Sequence, residues 1–194
     1  RGFGIMNHGV THTNMGPTTG TTYGTALGII RDGHDALVAN GLTDIGFVTP
    51  NSEINRNFMP IVRRYAPLSY TRYSGGGAGL TDVNNVITET PIIPHRMYRA
   101  SMHQHGIPGC KAIVDAVKAQ KQFCCFYDHD PSQVFNANSM SQADILEVID
   151  YCIAEGVPII SNRQLGDYFT IVDGEKEVSV SVQNNQIITR QTFT

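Results

Sequence analysis

Two histidines near the start of the chain, His8 and His12, are separated by three residues and follow a short apolar segment. Neutral imidazole binds zinc and related divalent ions well, and an i, i+4 pair converges on one ion where the chain is helical or tightly turned. Gly9 lets the backbone curl between them. The spacing therefore indicates a metal site, and the alternative is a pair of solvated histidines in a loop.

A third histidine, His129, lies between Asp128 and Asp130, directly after the apolar run 123–127. Neighbouring carboxylates raise the pKa of a histidine and can fix its tautomer, which suits proton transfer. The alternative is a loop histidine that makes a local turn bond. The pattern makes His129 a candidate acid or base.

The segment 91–106 is rich in histidine, arginine and methionine, and it predicts an irregular loop. Arg99 in this loop has the chemistry to contact a polar ligand. His103 and His105 are one residue apart, and alternate residues of an extended segment point to opposite faces. We therefore expect His103 to contact substrate more readily than to share a metal ion with His105.

Helices and strands must alternate to position these side chains. The hydrophobic pattern predicts strands over 2–7, 44–49, 67–73, 83–90, 122–127 and 157–160, and helices over 23–40, 55–65, 108–120, 142–155 and 162–169. This alternation predicts an α/β fold with a largely parallel sheet or barrel. Chemistry in such folds gathers at the carboxyl ends of the strands, where His8 and His129 lie.

The pattern changes after residue 170. Val178, Val180 and Val182 alternate with serines, and Asn184-Asn185 can turn the chain into a second alternating run. Period-two alternation on both sides of a turn predicts a β hairpin over 170–194, appended to a main body over 1–169.

Composition limits the possible partners. The 194 residues carry a formal net charge of −3, and the basic residues are scattered, which argues against nucleic acid and anionic membranes as partners. No apolar run approaches the ~20 residues that span a bilayer. The spacing of the four cysteines matches neither a zinc knuckle nor a disulfide framework, and we expect buried structural thiols. The chain begins on a strand already under way, so we expect a fragment or a processed product.

These motifs together resemble the polysaccharide deacetylase family, also called carbohydrate esterase family four. The segment 7–12 resembles the family's His-x-x-x-His motif, and 47–51 occupies the place of its Arg-x-Pro-Tyr segment. The segment 126–130 resembles the late Leu-x-His motif. A helix, a Gly-Val-Pro-Ile-Ile segment and a Leu-Gly-Asp-Tyr helix follow, as in the family, so the resemblance spans 2–169.

The resemblance implies a distorted (β/α) barrel over 1–169 that removes N- or O-acetyl groups from a glycan. It implies a divalent metal, usually zinc, held by His8, His12 and an aspartate, and it makes His129 the general acid. We expect the remaining candidate site residues to contact the glycan: Pro50, Asn51, Arg99, His103 and Asp130.

The chain departs from the family pattern at three points. The family's paired aspartates, which supply the third ligand and the base, precede the histidine pair, and none of the seven residues before His8 is acidic. We expect these aspartates upstream of Arg1. Val48 and Asn51 replace the arginine and tyrosine of the Arg-x-Pro-Tyr segment. The chain contains no tryptophan, and the family's Asp-x-x-Asp-Trp segment is absent.

These departures favour an alternative, a non-catalytic domain that binds glycan or serves as a structural appendage of a cell-surface or viral attachment protein. The exposed edges of the hairpin would then allow self-association. Both hypotheses lead us to expect an extracellular, cell-surface or virion location.

Overall fold

The computed structural model describes residues 4–42, 44–52, 54–66, 68–70, 97–129, 139–169, 178–183 and 186–191. The strands are β1 (Ile5–Asn7), β2 (Asp44–Val48), β3 (Ser69–Tyr70), β4 (Arg99–Ser101), β5 (Cys125–Tyr127), β6 (Val178–Gln183) and β7 (Gln186–Gln191). The α-helices are α1 (Tyr23–Ala39), α2 (Met59–Tyr65), α3 (Met102–Gln120), α4 (Gln142–Ala154) and α5 (Asn162–Phe169), and two 3-10 turns cover Pro50–Ser52 and Arg56–Phe58.

The strands of the main body pair in parallel. β1, β2 and β3 form one sheet in that order, and β4 pairs with β5 in a second. A parallel bridge between Tyr70 and Met97 joins the edges of the two sheets. Small parallel sheets alternating with helices are therefore present. The distorted barrel stays a prediction, because no pairing among the described strands returns from β5 to β1.

The C-terminal strands form the predicted hairpin. β6 and β7 pair antiparallel in a continuous register from Val178 opposite Gln191 to Gln183 opposite Gln186. Asn184 and Asn185, predicted as its turn, lie outside the described residues, as does the predicted strand 83–90.

Two element predictions were wrong. The segment 157–160 is not a strand, although it is apolar. The loop predicted over 91–106 contains β4, and α3 begins at Met102 and not at Pro108. Gly106 lies at φ 59° and breaks the regular helical backbone there. Pro108 accordingly sits in the first turn after this break, where a proline is tolerated.

Helix α1 supports the first sheet through a buried stripe of Ala26, Ile29, Ile30 and Gly33. Thr22 caps the start of the helix, and its side chain accepts a hydrogen bond from the amide of Thr25. Met15, Ile30 of this helix and Phe47 of β2 pack in one core cluster and are fully buried. The helix and β2 therefore share one packed core.

A second core cluster lies around β3. Tyr70 is buried, and its hydroxyl donates to Oδ1 of Asn162 at 2.5 Å, which ties β3 to the start of α5. No helix in the described ranges is long and apolar enough to cross a bilayer. The four cysteines are free thiols. Burial raises the pKa of Cys110 and of Cys125 to about 11, so both stay protonated at neutral pH.

The closest approach of α1 to β1 occurs at Gly33. A Cβ at this position would lie 2.4 Å from Oδ1 of Asn7. We expect Gly33→Ala to destabilise the chain by about 1–3 kcal/mol, the usual cost of overpacking, although alanine favours a helix. The free energy of unfolding in urea measures this change.

Gly28 in the same helix provides the matched control. A Cβ there would meet its nearest atom, Oδ2 of Asp32, at an ordinary 3.9 Å. Gly28→Ala is therefore expected to stabilise the chain by about 0.5–1 kcal/mol through helix propensity alone. Equal effects of the two substitutions would contradict the close approach of Gly33 to Asn7.

Candidate metal and proton-transfer site

The turn after β1 is held against α1 by the buried side chain of Asn7. Its Nδ2 donates to the carbonyl of Ile30 at 2.8 Å, and its Oδ1 accepts from the amide of Gly9 at 2.7 Å. Gly9 has φ +84°, and a Cβ there would lie 2.7 Å from Cγ2 of Ile29. The turn thus needs glycine at this position, and the direction of His8 follows from it.

His8 faces the end of the neighbouring strand. Its Nδ1 lies 2.7 Å from the carbonyl oxygen of Val48. Because a carbonyl only accepts, Nδ1 carries the proton, and Nε2 keeps its lone pair. Ligating histidines commonly donate their second nitrogen to a backbone carbonyl in this way, which orients the ring.

His8 and His12 lie together, as the sequence predicted for a shared ion. Their ring centroids are 5.0 Å apart and the ring planes meet at 67°. Two imidazoles on one tetrahedral zinc, with Zn–N bonds of about 2.0–2.1 Å, place their ring centres about 5 Å apart. The spacing of the pair fits zinc. Among the described residues, no third His, Cys, Asp or Glu completes a set of three around it.

Arg99 links the ends of β2 and β5 at this site. Its Nη2 donates to the carbonyl of Thr49 at 2.7 Å, and its guanidinium lies 4.6 Å from the ring centroid of Tyr127. Burial lowers the pKa of Arg99 from its ordinary value, but a guanidinium remains charged at neutral pH. The site therefore carries a fixed positive charge.

His129 lies beside the ring of Tyr127. The two ring centroids are 5.6 Å apart in an edge-on arrangement. His129 also lies close enough to His8 to act on its titration, as do Arg99 and His12. The structure thus brings together the histidine pair, Arg99 and His129.

The other predicted site residues lie in different kinds of local structure. Pro50 and Asn51 follow β2 in a 3-10 turn, where Asn51 is exposed and lies in the left-handed region at φ 55°. His103 lies in the first turn of α3 and not in an extended loop, so the basis for its predicted orientation was wrong. Asp130 lies outside the described residues.

The His8 ring favours its neutral form. Partial desolvation lowers its pKa below the ordinary 6.5, against the opposing effect of the bond to Val48, and the nearby Arg99, His12 and His129 lower it further. The unfolded chain thus takes up this proton at higher pH than the folded chain. His8 consequently contributes stability that is present above pH 6.5 and is lost as pH falls through its folded pKa.

We expect NMR titration of the metal-free chain to show His8 titrating below 6.5 and, at neutral pH, as the tautomer protonated at Nδ1. Nitrogen chemical shifts of the ring report both properties. A His8 ring protonated at Nε2 would contradict the bond to Val48 and the ligand role that follows from it.

Several residues that shape the site were not identified from the sequence. Asn7 entered only as part of the motif around His8, and Tyr127 only as the end of an apolar strand. A polar residue in an otherwise apolar strand end was the available signal for Asn7. Nothing local in the sequence shows that Tyr127 contacts Arg99, because that contact depends on the pairing of β4 with β5.

The chain matches no protein-family model, and comparisons with curated proteins and with solved structures found no match either.

Proposed function

We propose that this chain is a metal-dependent hydrolase domain that removes acetyl groups from a glycan, with His8 and His12 as two of its metal ligands. The observation that carries the proposal is the bond from Nδ1 of His8 to Val48, which leaves Nε2 as a ligand beside His12. A bound zinc ion would polarise the acetyl carbonyl and acidify water. The third ligand and the general base are proposed to be acidic residues outside the described ranges.

The residues around the pair have distinct proposed roles. His129 holds the proton that the leaving amine or alcohol takes up, since it lies near His8 and in contact with Tyr127. The Arg99 charge, fixed by Thr49 and Tyr127, favours negative charge as it develops on the reacting acetyl group. Pro50, Asn51, His103 and Asp130 are proposed to contact the sugar.

The proposal is tested by acetate release from acetylated chitin oligomers, xylan and peptidoglycan. The full-length protein is assayed as prepared, after chelation, and after return of one equivalent of zinc. We expect release on at least one glycan, loss on chelation and recovery with zinc. Zinc bound without acetate release from any of the three would contradict the hydrolase.

A second candidate function is glycan binding without hydrolysis. It is favoured by the finding that, among the described residues, no further His, Cys, Asp or Glu joins His8 and His12 in a set of three. Retention of the same glycans on the immobilised full-length protein, with no acetate released, would establish this function over the first. In either case we propose that the β6–β7 hairpin mediates self-association through its strand edges.

A further inference from the structure

The parallel pairing of β4 with β5 brings two histidines to the same edge. Ser101 is opposite Tyr127 in the register. His103 lies two positions after Ser101, and His129 lies two positions after Tyr127. The two histidines therefore lie at the carboxyl ends of adjacent strands. Asp128 lies between Tyr127 and His129 in the chain. One ring nitrogen of each histidine and one carboxylate oxygen of Asp128 all lie within 4.8 Å of one another.

The surrounding hydrogen bonds hold two of these three groups. The carboxylate of Asp128 accepts from the amide of His129 at 2.8 Å and from the amide of Met140 at 2.7 Å. Each oxygen retains a second lone pair. The Ser101 hydroxyl lies 3.0 Å from Nδ1 of His103, which leaves Nε2 as the remaining ring nitrogen. Asp128 and His103 are thus oriented as outer hydrogen bonds orient known metal ligands.

We propose that His103, Asp128 and His129 form a second site for a divalent transition-metal ion of the zinc class, separate from the His8–His12 pair. Two imidazoles and one carboxylate are a common ligand set for zinc, whereas Mg²⁺ and Ca²⁺ prefer oxygen ligands. Donor atoms on one tetrahedral zinc lie about 3.3 Å apart, so the groups must close by at most about 1.5 Å. The exposed ring of His129 has the freedom to do so.

Metal binding at this site does not depend on the proposed hydrolase function. Its expected effect on acetate release does rest on that function. A metal on the ring nitrogen of His129 excludes the proton that the hydrolase needs there. Zinc in excess of the pair's requirement is therefore expected to lower acetate release.

Equilibrium dialysis with zinc, followed by elemental analysis, tests the site directly. We expect the double variant His8→Ala, His12→Ala to retain one zinc per chain. Adding His103→Gln should weaken this zinc at least about 100-fold, because loss of an outer-shell partner alone costs 10- to 100-fold. Adding His34→Gln, which removes a histidine from α1, should change nothing. Cobalt should bind with the same dependence, and magnesium should not bind.

The outcomes separate the two proposals. In one outcome, the double variant and the unmodified chain each bind one zinc that His103→Gln removes. The His8–His12 pair is then not a metal site, and the second site is supported. If His103→Gln leaves zinc binding unchanged in the double variant, the second site is wrong. Should His103→Gln fail to fold by circular dichroism, Ser101→Ala replaces it. That variant is expected to weaken binding about 10-fold, and unchanged affinity would overturn the proposal.

Discussion

Replacing His8 by alanine is expected to abolish zinc-dependent acetate release and to remove the zinc bound at the His8–His12 pair. The substitution deletes the ligand whose Nε2 is presented by the bond from Nδ1 to Val48. The site then loses one of its three proposed protein ligands and is expected not to retain zinc at micromolar concentration. We expect the rate of release to fall by at least about 100-fold, since loss of outer-shell support alone costs up to that much. Acetate assays and zinc analysis on the same sample measure both effects.

His34→Ala is the matched control for this substitution. His34 lies on α1, where its ring centroid is 5.6 Å from that of Tyr65, and the prediction assigns it no metal. Zinc content and acetate release should stay within twofold of the unmodified chain. Full activity in His8→Ala would contradict the assignment of His8 as a metal ligand.

Asn7→Asp is expected to cause the largest loss of stability. The introduced carboxylate still accepts from the amide of Gly9, but it has no proton to donate to the carbonyl of Ile30. A negative charge in this buried position would face a carbonyl oxygen, and an uncompensated buried charge costs about 3–5 kcal/mol. Urea unfolding at pH 7 measures this loss.

The pH dependence of the same variant provides an independent check. Burial raises the pKa of the introduced carboxyl, and once protonated it again donates to Ile30. The loss of stability relative to the unmodified chain should therefore shrink as pH falls from 7 to 5. A loss that is independent of pH would indicate a cause other than the buried charge.

Asn14→Asp makes the same chemical change in a matched turn. Oδ1 of Asn14 accepts from the amide of Gly16 at 2.8 Å, as Oδ1 of Asn7 does from Gly9, but Asn14 is exposed. Its substitution is expected to change stability by no more than about 0.5 kcal/mol. A large effect there would show that the turn bond, and not burial, determines the result at Asn7.

Helices and strands with a strong hydrophobic period and clear capping or turn residues could be predicted from the local sequence. Helix α4 begins after Ser141, which forms a capping box with Asp144, and it ends within a residue of the predicted boundary. The apolar positions of α1 and the alternation in the hairpin were equally informative. These features depend on contacts between neighbours in sequence.

Long-range pairing accounts for most of what the sequence did not reveal. The segment 157–160 has the composition of a strand, yet strand formation requires a partner that composition does not specify. Residues 97–106 look irregular alone, but pairing with β5 and the bridge to Tyr70 make part of them a strand. His103 was consequently assigned the wrong local structure, and its proximity to Asp128 and His129 could not be anticipated.

The attachment of the His8 turn to α1 has a kinetic consequence. The amides of Gly9 and Val10 are bonded to Asn7 and to the carbonyl of Ile29, so neither belongs to a sheet. Their hydrogen exchange then reports separation of the helix from the strand end, a local opening below global unfolding. The exchange rate of the Val10 amide therefore measures how often the His8 turn separates from α1.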